Sequence, residues 1–132
     1  MNIRINFIPH NQQRYETVGD WFYDAEGTGD LIINVSNDVN FVGVRFDTED
    51  RQNLIALHEL VEALLCRRRG ITQKQVDEFD MKVWPVVDEI CREEDEPGDD
   101  PLAPYHKEHR FAMIIEHLMA HELGLFRYEV LR

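Results

Sequence analysis

The chain has 132 residues, 43% of them hydrophobic and 30% charged, and a formal net charge of -12. That length and mixture suit a single globular domain, 1–132, able to bury a core. The acidic balance argues against direct binding to a nucleic-acid backbone, which needs Lys and Arg to displace counterions, and favours cations or basic partners.

An acidic DNA mimic would also carry such charge, but here the acids are interleaved with an ordinary apolar pattern. The N-terminus MNIRINFIPH lacks the apolar core and small-residue cleavage site of a signal peptide. No apolar run approaches the length of a membrane span, so a cytoplasmic protein without a membrane partner is expected. Cys66 and Cys91 fall on the apolar sides of expected helices and read as buried thiols.

Ile3, Ile5 and Phe7 alternate with polar residues, which predicts a half-buried strand ending at Pro9. Tyr15 to Asp24 predicts a second strand, the Gly-rich connection Ala25 to Asp30 a hairpin turn, and Leu31 to Val35 the returning strand. Phe41 to Phe46 predicts a fourth. The first third (1–46) is therefore a small, mostly antiparallel sheet, and the rest (47–132) is helical, an α+β arrangement.

Asp47 or Thr48 caps a helix that runs to about Arg69 and stops at Gly70. Thr72 with Gln75 forms a capping box for a second helix with the stripe Val76, Val83, Trp84, Val87, Ile90 and Cys91, broken near Pro85. Glu93 to Pro104 is an acidic loop rich in Pro and Gly, read as a solvated connection that does not match a calcium-binding loop. A third helix from about Tyr105 to Glu122 carries Phe111, Ile115, Leu118 and Met119 as its core stripe, and a last short segment closes the chain.

The first helix holds the anomaly. At about 100° per residue, His58 and Glu62 fall within the apolar arc of Leu54, Leu57, Val61, Leu64 and Leu65. Two ionisable groups on a core-facing stripe are costly unless compensated. A cation would compensate them, because residues at i and i+4 project toward one point. Asp80 sits in the stripe of the second helix, and His106 and His109 open the third. A shared metal site satisfies all of them at once, and a hydrogen-bonded polar network of His58, Glu62 and Asp80 is the alternative. Imidazole with carboxylates suits zinc, and also manganese or iron. Glu59, turned about 100° from His58, is placed to act as a general base.

The run His58-Glu59-Leu60-Val61-Glu62, on a helix after a small sheet, resembles the zincin metallopeptidase motif H-E-x-x-H. In that family two His bind zinc, the Glu is the base and a third ligand lies downstream. The resemblance implies His58 as first ligand and Glu59 as base. Glu62 stands where the family has its second His, and Asp80 or His109 would be the downstream ligand. Residues 54–124 are also similar to small phage and prophage proteins without an established activity. These share the H-E-x-x-E helix, the VDEFD segment, and the stretch EPGDDPLAPYHKEHRFA. That resemblance implies a phage or prophage setting and links His58, Glu59, Glu62, Asp80, His106 and His109 to a metal. The expectation is a zincin-like metal-dependent hydrolase, with His58, Glu62, Asp80 and His109 as ligands. Its rival is a non-enzymatic acidic interaction protein stapled by a metal or polar network. An open cleft at the site would favour the first and a closed, dry site the second.

Overall fold

The computed structural model describes residues 1–38, 48–84 and 96–125. Three strands, β1 (Ile3–Ile8), β2 (Gly19–Tyr23) and β3 (Leu31–Ser36), form one sheet in the order β1-β3-β2. The helices α1 (Thr48–Arg68), α2 (Gln73–Glu78) and α3 (His106–Glu122) follow, so the chain is α+β. The expected fourth strand, the Pro85 break, the stripe positions Val87, Ile90 and Cys91, and nearly all of the closing segment lie outside the described residues.

The sheet is mixed rather than antiparallel throughout. The hairpin pairs β2 with β3 antiparallel as expected, with Trp21 opposite Ile33, whereas β1 runs parallel to β3, with Ile5 opposite Ile33. A parallel neighbour needs a crossover. Here residues 9–18 carry the chain past β3 to the far edge. The second strand is shorter than Tyr15 to Asp24 because the backbone turns tightly before it, the Thr17 N–H donating to the Tyr15 carbonyl at 2.7 Å. That turn takes Tyr15 out of the sheet.

Leu31, Ile33 and Val35 are fully buried, and α1 packs across β3 and β2. Ile3, Ile5 and Phe7 remain more than 40% exposed, so β1 is less buried than its alternation predicts. Gly19 lets β2 approach α1, since a Cβ there would lie 2.6 Å from both Glu59 Oε1 and the Ile55 side chain.

The capping box forms as expected. Thr72 Oγ1 accepts from the Gln75 backbone N–H at 3.2 Å, and Gln75 Oε1 accepts from the Thr72 N–H at 2.8 Å. After α2 the backbone widens into a π-turn over Phe79–Val83, in which the Trp84 N–H donates to the Phe79 carbonyl. This slips the register, so Phe79 and Asp80 join Val76 inside and Val83 turns outward. Such turns inside helices are frequent at functional sites. Gly70 and Gly124 end α1 and α3 at φ of 74° and 80°.

The third helix corrects the largest expectation. Phe111, Leu118 and Met119 are 47%, 60% and 46% exposed, while Glu108, His109, Ala112, Glu116 and Ala120 form the buried face. The polar and small side of the helix packs on α1, because the alanines allow close approach and the ionisable groups find partners there. Ala112→Leu should therefore lower the unfolding free energy in urea by about 1–3 kcal/mol. Leu118→Gln, placed on the stripe that periodicity assigns to the core, should change it by less than about 0.5 kcal/mol.

Candidate metal centre

His58 and Glu62 lie one turn apart on α1, and His109 enters from the first turn of α3. The three side chains meet in the interior. His58 Nε2 is 3.1 Å from Glu62 Oε2, His109 Nδ1 is 3.0 Å from the same oxygen, and the two nitrogens are 3.2 Å apart. All three residues are buried.

The outer nitrogens decide what the inner ones present. His58 Nδ1 lies 2.9 Å from Oε1 of Glu116, which is fully buried, and His109 Nε2 lies 2.9 Å from Asp99 Oδ1. A carboxylate facing one ring nitrogen places the proton there and leaves a lone pair on the other. The remaining oxygen of Glu62 accepts from the Trp21 indole N–H at 3.1 Å. With the outer nitrogens protonated, three lone pairs converge within 3.2 Å of one another, an arrangement that repels unless a positive charge sits among them.

Without a metal, protons on the imidazoles take that place. Burial works against the Glu62 anion, but hydrogen bonds and charge from His109 and His58 outweigh it and hold the carboxyl well below its usual range. Burial works against a charged His109, yet Asp99, Glu62 and Glu96 hold its pKa well above the ordinary imidazole value. The centre demands a cation, whether a proton or a metal.

A further carboxylate borders this triangle. Glu96 Oε2 lies 3.4 Å from His109 Nε2, and ligand atoms of His58, Glu96 and His109 all fall within 4.8 Å of one another. This buried group could hold a metal ion. Glu96 caps a turn, Pro97–Asp99, in a stretch that the sequence presents as a solvated connection. Instead Pro97 and Gly98 are buried, and a Cβ on Gly98 would meet the His109 ring at 2.5 Å. His106 does not reach the centre, because its Nδ1 pairs with the Gly98 carbonyl at 2.9 Å and holds the turn.

Asp80 and Glu59 line the same pocket, with Tyr15, Gly19 and Tyr105. Asp80 is not joined to the triangle. Its oxygens accept from the Tyr15 hydroxyl at 2.9 Å and the Tyr105 hydroxyl at 2.6 Å. Glu59 is buried and packs against the backbone of β2 at Gly19. Glu96, Glu116 and Asp99 are the site groups that sequence reasoning did not assign. Glu116 alone had a visible signal, an acid on the side of α3 that carries His109.

No protein-family model, curated protein or solved structure matches the chain. Among the described residues, no helix is long and apolar enough to cross a membrane.

Burial pushes the Asp80 carboxyl up to about 7, against the hydrogen bonds of Tyr105 and Tyr15, and Glu62 and Asp77 add to the rise. A raised folded-state pKa means the folded chain holds the proton longer than the unfolded one. The resulting stability is complete below the ordinary carboxyl range and is lost as pH rises toward 7. Relative to Asp80→Asn, wild-type stability in urea should fall by more than about 1 kcal/mol between pH 4 and pH 8.

Proposed function

We propose that this chain is a small metal-dependent hydrolase in which His58, Glu62 and His109 hold the metal and Glu59 serves as general base. The observation that carries the reading is the convergence of three lone-pair donors whose outer atoms are each fixed by a second group, Glu116, Trp21 or Asp99. Donors around a tetrahedral zinc stand roughly 3.3 Å apart, close to the spacing found here. Two imidazoles and one carboxylate form a ligand set used by catalytic zinc, with manganese or iron as alternatives.

The pocket supports a catalytic reading over a staple. The centre lies in the wall of a half-enclosed pocket with room for about one water, and Glu59 lines that pocket without being one of the three donors. A divalent metal there would supply Lewis acidity toward a substrate carbonyl and make water easier to deprotonate. Glu59 takes the proton of the attacking water, and its packing against Gly19 fixes the carboxylate for that task. Glu116 and Asp99 orient the two imidazoles. We extend the proposal to a phage or prophage setting, which the resemblance of residues 54–124 supports.

Elemental analysis of the purified chain should find about one zinc per molecule, and His58→Ala should abolish it. Glu116→Gln should weaken zinc affinity roughly 10–100-fold while leaving the fold intact. With a fluorogenic panel of peptides and esters, Glu59→Gln should retain zinc and lower hydrolysis by about a hundredfold or more. Hydrolysis that survives both chelation and Glu59→Gln would rule out the enzymatic reading.

A further inference from the structure

The acids on the β2 side of the pocket are not all balanced. Arg14 serves two of them, with Nε 2.7 Å from Asp20 Oδ2 and Nη1 3.1 Å from Asp77 Oδ2. Asp80, on the π-turn beside them, has no Lys, Arg or His within ion-pair distance among the described residues, although it is only 8% exposed. Its polar contacts are the two phenols, and it faces the cleft that holds His58 and Glu62.

We propose that Asp80, flanked by Tyr15 and Tyr105, is the subsite for a primary ammonium group, so that the substrate of this cleft is an amine-bearing compound. The assignment of the ammonium compound as substrate rests on the hydrolase reading above. The ammonium site itself rests on Asp80 and its surroundings.

The donor and acceptor count fits. Each Asp80 oxygen accepts one phenol and keeps a second lone pair, and each phenol oxygen keeps lone pairs of its own. An ammonium presents three N–H donors, which match one carboxylate and two phenol oxygens. Burial, together with the neighbouring acids Asp20 and Asp80, holds the Tyr15 hydroxyl protonated, and burial and Asp80 do the same for Tyr105. Both therefore remain donors to Asp80 and keep it ready for a cation. Their ring faces add attraction for positive charge where they reach it. Burial makes the Asp80 anion costly in an empty pocket, where a proton offsets the cost, and an entering ammonium takes the place of that proton. The free space in the pocket is about 20 Å³, the size of one water-sized group such as the ammonium head, so an alkyl arm would lie at its mouth.

The test is a titration of the full chain, equilibrated with zinc, with n-butylammonium and with n-butanol as neutral counterpart. It is followed by amide and indole NMR shifts, with the Trp21 indole N–H as reporter. The ammonium should bind saturably, at least about tenfold more tightly than the alcohol, and Asp80→Asn should weaken it by a similar factor. Equal binding of amine and alcohol would overturn the proposal, and that comparison needs no variant. Binding unchanged in Asp80→Asn would show the amine ligating the metal instead, and would equally overturn it. Zinc stoichiometry, measured on the same sample, tests the metal reading separately. If no zinc binds, the dependence on charge and on Asp80 still decides the ammonium site.

Discussion

The structure depends on one electrostatic constraint, the burial of ionisable side chains between α1 and α3. His58, Glu62, His109 and Glu116 together place two imidazoles and two carboxylates in the interior. Such groups cannot be left alone in a low-dielectric core. Each must find a partner of opposite sign or a donor, and the helices are arranged so that each does. The outer atoms face Glu116, Asp99 and Trp21, and the inner atoms share one position that a proton or another cation completes.

Other features follow from satisfying that centre. The third helix turns its polar and small face inward, because His109 and Glu116 can be paired only against α1. Ala112 and Ala120 allow the approach, and the larger apolar residues of the same helix are left outside. The acidic turn folds over the His109 ring for the same reason, and Gly98 leaves room for it. On the opposite side, Gly19 brings β2 against Glu59. The π-turn carries Asp80 to the pocket wall, where two phenols, rather than His58, Glu62 and His109, meet it.

Several of these features can be read from the residues alone. The capping box of Thr72 and Gln75, the helix ends at Gly70 and Gly124, and the β2–β3 hairpin are local, with signals inside a few residues. The placement of His58 and Glu62 on one arc is also local, since a helix puts i and i+4 on one side wherever it occurs. His109 was visible as a histidine in a first helical turn, though nothing nearby said which ring nitrogen faced inward. Glu96 and Asp99 were hidden by composition, because an acidic, Pro- and Gly-rich stretch looks the same whether it is solvated or folded over a histidine. Asp80 is buried, as its place on the stripe of the second helix predicts. Its partners were not visible, because Tyr15 is 65 residues away and lies in an expected strand.

By itself the sequence determined the α+β order, the Thr72 capping box, the glycine helix ends and the conflict on the first helix between ionisable side chains and a core-facing position. Those properties depend on backbone geometry over a turn or two. Only the tertiary structure decided which face of α3 packs inward, that β1 lies parallel to β3, and that His109 rather than Asp80 joins His58 and Glu62. Hydrophobic periodicity reports the gain from burying apolar area. It does not report the larger penalty of leaving paired charges without their partners, and here that penalty chose the packing.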